Sequence, residues 1–248
     1  MNMQVFVYKY LPFVIIGTAA FSLLLIITTL IMCLSLDHLE YKNIFPTVSL
    51  TGAYDPEHIL YEAGFTVITL LMLFITYIVH SKLIHPQLKN TQETWRCSLN
   101  IVTCVVCVIG LIGLVMQSYM PCRKEEKLHY KLHMIFAVIF FVGIGVYVTL
   151  TSIIIFPLKF FRRTLFFKIC TNVMYLFGGF SYVFGYFIRK KSTESRLERA
   201  IAEWIAVFGY IAYFLSFSAD LLKAKNEVLR MQSELQMDNP DRNEQDNK

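Results

Sequence analysis

LPFVIIGTAAFSLLLIITTLIMCLSL, residues 11–36, carries no charged side chain from end to end. At about 1.5 Å per helical residue, such a run crosses the roughly 30 Å hydrocarbon core of a bilayer. It is too long, and too poor in a small-residue cleavage site, for a removed signal peptide, so a retained span is expected. Five further windows have the same character, near residues 59–80, 98–119, 132–156, 165–188 and 201–222. Composition agrees. With 56% hydrophobic and 15% aromatic residues and a mean hydropathy of +0.52, the chain has more apolar surface than one soluble core could hide. The sequence therefore predicts an all-α polytopic membrane protein, a six-transmembrane-helix bundle over residues 1–222. A short amphipathic helical extension and a disordered polar tail are expected over residues 223–248, with Leu222, Val228, Leu229, Met231 and Leu235 forming the apolar stripe.

An even number of spans puts both termini on one side. That side then carries thirteen Lys and Arg residues, Lys168 among them, against ten on the other. The excess favours cytosolic termini under the positive-inside rule, whereas Arg189, Lys190 and Lys191 count the other way. The net charge of +5 is spread over short loops, where Lys and Arg anchor helices at lipid headgroups. Membrane lipids are the expected partners, and nucleic acid is not.

The longest loop on the non-terminal side ends in FPTVSLTGAYDPEHILYE, residues 45–62. Pro46, Gly52 and Pro56 restrict its backbone, and Asp55, Glu57, His58 and Glu62 supply its chemistry. Between Asp37 and Glu62, five carboxylates face one base, Lys42, which makes an acidic mouth. Alternating spans bring Glu57, His58, Glu62, Gln117, His129, His133 and Glu203 to this same leaflet. A carboxylate inside a span, as Glu203 is, needs a partner and marks a functional site by default. The first candidate partner is His133, with Ser49 or the first-loop backbone second. The alternative role for Glu203 is structural, capping the loop by accepting its N–H groups.

Other motifs weigh less. Cys104 and Cys107 lie one turn apart inside a helix with no second pair nearby, so packing is their expected role. His129 and His133 share a helix face but lack a complete ligand set. Gly110, Gly113, Gly143 and Gly145 suit close helix contact, and the GGFSYVFG of residues 178–185 lacks the strand and GKS/T of a phosphate loop. Cys33 and Cys122 fall on one membrane face and could pair if it is lumenal. No metal or cofactor is expected. There is no HExxH and no nucleophile with an adjacent base, which leans away from an enzyme without closing the question.

In the last span, Glu203-Trp204, Phe208-Gly209, Tyr213-Phe214-Leu215 and Asp220 resemble the final membrane helix of the Frag1/DRAM/Sfk1 family, and most closely that of the DNA-damage-regulated autophagy modulators. The first loop is similar too, in Phe45, Pro46, Val48 and Ser49, then Gly52, Pro56 and Glu57. His133 and Tyr147 fit the family's fourth helix, although Met134, Ile135 and Phe136 are bulky where relatives have small residues. The resemblance spans roughly residues 5–222. It implies a non-enzymatic, multi-pass protein of endolysosomal membranes that promotes or regulates autophagy. Because the family also includes factors that remodel the lipid of GPI anchors in the Golgi and endoplasmic reticulum, the alternative it implies is lipid handling, with the acidic and histidine residues at the lumenal leaflet.

Overall fold

The computed structural model describes residues 7, 9–38, 45–89, 94–123, 125–187 and 193–237, with backbone alone at 186–187, 193–195, 224 and 226–237. Glu40, Lys42, Lys124, Arg189 to Lys191 and the tail 238–248 lie outside the described residues. The apolar stripe expected over Val228–Leu235 falls where only backbone is described.

Helix α1 is Leu11–Ser35, started by Pro12 in its first turn. Its buried hydroxyls bond back along the helix, Thr18 to Val14 O and Ser22 to Thr18 O, both at 2.8 Å, which satisfies those polar atoms inside the bundle. It ends at Asp37, whose φ of 53° is the left-handed conformation that Asp tolerates. A single turn, α2 (Val48–Thr51), follows, with the Leu50 N–H capped by the Thr47 side chain.

Helix α3 is one continuous helical segment, Glu57–Lys89. The expected span ends at His80 and gives way to a polar loop, but Leu83, Ile84 and Leu88 are buried and hold the helix together beyond that point. The ladder passes through a π turn at Val79–Ile84. Pro86, which has no N–H to give, sits just after that change of register.

The remaining helices are α4 (Thr94–Tyr119), α5 (Lys127–Ile155), α6 (Arg162–Phe187) and α7 (Thr193–Met237). A short 3-10 turn at Lys159–Phe161 joins α5 to α6. Helix α5 stops where expected, before Pro157. At 45 residues and about 1.5 Å per residue, α7 is roughly twice as long as a membrane is thick.

The described structure is all helical. Among the described residues, five helices are long and apolar enough to cross a membrane: α1, α3, α4, α5 and the Arg196–Lys223 portion of α7. Helix α6 has the length, at 26 residues, but Arg162, Arg163, Lys168 and Asn172 dilute its hydrophobicity. The fold therefore supports five spans by composition rather than the expected six.

The long helices pack as a closed ring in the order α1, α3, α4, α5, α6, α7 and back to α1. Neighbours in sequence run antiparallel, which separates a loop side, holding α2, from a terminal side. Glycines set the tightest contacts. A Cβ on Gly143 of α5 would lie 2.8 Å from Gly110 Cα of α4, and one on Gly209 of α7 would lie 2.9 Å from the Tyr175 backbone nitrogen of α6. Backbone-to-backbone approach of this kind takes the place of a hydrophobic driving force that lipid cannot supply. Inside the ring, Tyr147 and Phe214 stack at 5.7 Å. Outside, Leu24, Leu70, Ile101 and Phe166 are more than half exposed, as a lipid-covered surface requires.

Candidate functional site: a latched loop

The loop 45–56 is fastened to α7 by two adjacent residues. Glu203 is buried, and its Oε1 accepts the backbone N–H of Ser49 at 3.2 Å and the Ser49 hydroxyl at 2.5 Å. The Trp204 indole N–H donates to Pro46 O at 2.9 Å, while the Phe45 ring lies 5.7 Å from the Trp204 ring. Neighbouring positions on one helix thus hold the start of α2 and the stretch that leads into it.

Other elements complete the attachment. The hydroxyls of Thr51 and Thr29 meet at 3.0 Å, tying α2 to α1. Arg123, from the α4–α5 connection, donates through Nε to Ala53 O at 2.5 Å and lies over the Tyr54 ring. Gly52 has an ordinary φ of −112°, so its role is not conformational freedom. A Cβ there would meet the Tyr61 ring at 2.2 Å, so glycine is required for space. Its carbonyl also bonds His58 Nδ1 at 2.8 Å.

Histidine–carboxylate pairs ring this side. His38 Nδ1 meets Glu57 Oε1 at 2.8 Å, His58 Nε2 meets Glu62 Oε1 at 3.0 Å, and His129 pairs with Glu126. The His129 contact, helped by Arg123, holds the Glu126 carboxyl below its ordinary value.

His133 is not the partner of Glu203. Its Nδ1 contacts two carbonyls, Gln117 O at 2.9 Å and Met120 O at 2.7 Å, so that nitrogen carries the proton. Gln117 O, in the last turn of α4, also accepts the Met120 N–H at 3.2 Å, and His133 adds a donor from α5 to both carbonyls. The second candidates, Ser49 and its backbone N–H, hold Glu203 instead.

Beneath the loop lies a small cavity of about 30 Å³, enough for one or two waters. Gln117, Glu203 and Tyr210 all line it. Gln117 Oε1, Glu203 Oε2 and the Tyr210 hydroxyl are buried and make no hydrogen bond to protein among the described residues. The rest of the wall is mostly apolar, including Val48, Phe65, Leu114 and Phe140. Thus one carboxylate oxygen of Glu203 holds the loop, and the other is buried without a protein partner on a residue that lines this mostly apolar cavity.

The remaining positions singled out in the sequence distribute as follows. Phe208 packs its ring 5.7 Å from Trp204, and Pro56 caps the start of α3. Asp220 is at the opposite, terminal side, far along α7 from Glu203. There it forms a buried ion pair absent from the sequence expectations, with Lys168 Nζ at 2.7 Å from its Oδ2 and the Thr164 hydroxyl at 2.6 Å from its Oδ1. Lys168 is therefore not a headgroup charge, and the count on the terminal side falls from thirteen to twelve, against ten. A Lys and an Asp within two apolar helices are the signal that points to such a pair. A second buried group on that side joins His80 to Asn100 at 2.7 Å and to the Tyr147 hydroxyl at 3.3 Å. No disulfide joins Cys33 to Cys122 among the described residues. Cys107 packs against the Thr76 hydroxyl at 3.6 Å.

No solved structure and no curated protein sequence shows a significant match to the chain. The family model of the Frag1/DRAM/Sfk1/Cwh43P N-terminal domain, by contrast, matches residues 10–224, from the residue before α1 to just beyond Asp220. That interval contains the latched loop, both of its anchors on α7 and the buried ion pair. The chain belongs to the Frag1/DRAM/Sfk1/Cwh43P N-terminal domain family.

Proposed function

We propose that this protein is a non-enzymatic, six-span membrane protein of endolysosomal compartments that promotes or regulates autophagy, with its termini in the cytosol and its latched loop in the lumen. The observation that carries this reading is the latch, in which Glu203 accepts the Ser49 N–H and hydroxyl and Trp204 donates to Pro46 O, fastening the first loop to α7. The use of Glu203 and His133 as fasteners for the loop and for the end of α4 supports a role without turnover. The autophagy assignment itself follows from the likeness to the DNA-damage-regulated autophagy modulators within the family.

Tagging the protein at its own locus, and measuring autophagic flux after its deletion, tests the reading. The expected result is a late-endosomal or lysosomal signal, reduced flux, and unchanged lipid composition of GPI-anchored proteins. A Golgi signal with altered anchor lipids and normal flux would replace it with a lipid-remodelling function.

A further inference from the structure

The turn between α5 and α6 sorts its side chains into two sets. Leu158 and Phe161, three positions apart, are buried, and the Phe161 ring meets Phe217 of α7 edge-on at 6.0 Å. Positions i and i+3 eclipse in a 3-10 turn, so the next pair, Lys159 and Arg162, shares a different face. Lys159, Arg162 and Arg163 are all exposed. The apolar pair pins the turn to the bundle, and the bases are held outward by it.

None of the three bases has a side-chain hydrogen bond or ion pair among the described residues. Of the carboxylates whose side chains are described, Asp220 alone lies on the terminal side, and it is committed to Lys168 and Thr164. The arginines do not serve α6 either, since the start of a helix disfavours cations. Three positive charges within five consecutive positions are thus left without neutralisation by the described chain.

What lies beneath them points to the ligand. Helix α6 runs inward from the terminal side, so Phe166 and Phe167 lie one turn, about 6 Å, deeper than Arg162 and Arg163 and on the same faces. Phe166 is 77% exposed and Phe167 50%, and across the turn Phe156, at the end of α5, is 67% exposed. Each arginine therefore stands above an aromatic ring that faces outward from the bundle. That is the order of phosphate and acyl chain in a phospholipid. A guanidinium matches a phosphate in charge and geometry. Clustered bases without a neighbouring carboxylate favour a net negative headgroup over a zwitterionic one. We propose that the α5–α6 turn binds an anionic glycerophospholipid of the terminal-side leaflet, with its phosphate at Lys159, Arg162 and Arg163 and an acyl chain along Phe166 and Phe167. The site is independent of the autophagy assignment and requires only that α5 and α6 both enter the membrane at this turn.

The test is native mass spectrometry of the full chain, stripped of lipid in detergent and titrated with dioleoylphosphatidylglycerol or dioleoylphosphatidylcholine, which share acyl chains and differ in headgroup charge. At about fivefold per base, one phosphatidylglycerol is expected to be retained at least tenfold more tightly than phosphatidylcholine. The triple variant Lys159→Gln/Arg162→Gln/Arg163→Gln should bring the two lipids near parity. Lys82→Gln/Lys89→Gln, at exposed bases on the same side, should leave the preference in place, whereas Phe166→Ala/Phe167→Ala should weaken both lipids. Equal retention of the two lipids by the wild-type protein overturns the proposal without recourse to any variant. Wild-type preference in a folded triple variant overturns it as well, by placing the anionic lipid elsewhere. Displacement of phosphatidylglycerol by millimolar inorganic phosphate would overturn it in favour of a free-phosphate site.

Discussion

Removing one partner of the Lys168–Asp220 pair should be among the most damaging single changes in the molecule. The two side chains are 0% and 1% exposed, with Nζ and Oδ2 2.7 Å apart. Lys168 also donates to the Thr164 hydroxyl at 2.9 Å and lies over the Phe217 ring at 4.3 Å. Asp220→Leu leaves a buried ammonium with one neutral hydrogen bond and an aromatic face, and breaking a buried pair in this way costs about 3–5 kcal/mol. The cation–π contact contributes about 2 kcal/mol, and it is already present in the wild type. Lys168→Met strands the carboxylate to a similar degree. The double variant Lys168→Met/Asp220→Leu removes both charges and should lie within about 2 kcal/mol of wild type, since apolar replacement of a buried pair is often neutral or stabilising. Unfolding of the purified proteins in detergent, run as a double-mutant cycle, measures this coupling. Single variants that each lose less than about 1 kcal/mol, and add in the double variant, would refute the account of the pair.

Three other changes probe the loop side. Gly52→Ala forces a Cβ into the Tyr61 ring, 2.2 Å away, and should cost about 1–3 kcal/mol in thermal unfolding, with faster hydrogen exchange at Leu50 and Thr51. Trp204→Phe keeps the ring against Phe45 but loses the bond to Pro46 O, for a loss of about 0.5–1.5 kcal/mol and greater protease access at residues 45–47. For Glu126, the folded carboxyl titrates below its ordinary range because of His129. Its contribution is therefore fully present above that range and is lost as pH falls through the lowered value. Hydrogen exchange in the first turn of α5, corrected for intrinsic rates, should be unchanged from pH 7 to 5 and rise only in stronger acid.

Charge-free runs make the helices legible in the sequence, because hydrocarbon leaves a polar backbone few alternatives. Helix ends are less legible. The polar letters Ser81, Lys82 and His85 conceal Leu83, Ile84 and Leu88, which carry α3 onward to Lys89. The same difficulty hides Lys168. A window starting at 165 places it at a headgroup, whereas α6 begins at Arg162 and buries it against a residue 52 positions later. The meeting of the first loop with α7 follows from alternation of the spans, since it depends only on which side each end occupies. The choice of partner within that meeting does not. Whether Glu203 turns to Ser49 or to His133 depends on rotation of α5, and the carbonyls at the end of α4 settle it for His133. The histidine–glutamate pairs show the same limit, since only His58–Glu62 and His129–Glu126 have the local spacing that sequence can reveal.

The claim that Glu203 fastens the loop, rather than performing chemistry, is tested most directly by rescue of autophagic flux in cells lacking the protein. Glu203→Gln keeps an oxygen to accept from the Ser49 N–H and hydroxyl, and its amide can donate toward the cavity that Gln117 also lines. Glu203→Leu leaves both Ser49 donors buried without a partner, at about 1–3 kcal/mol each. The account predicts that Glu203→Gln restores flux to the wild-type level and that Glu203→Leu, with its loop released, does not. A Glu203→Gln protein that folds, reaches the same membrane and fails to restore flux would contradict it.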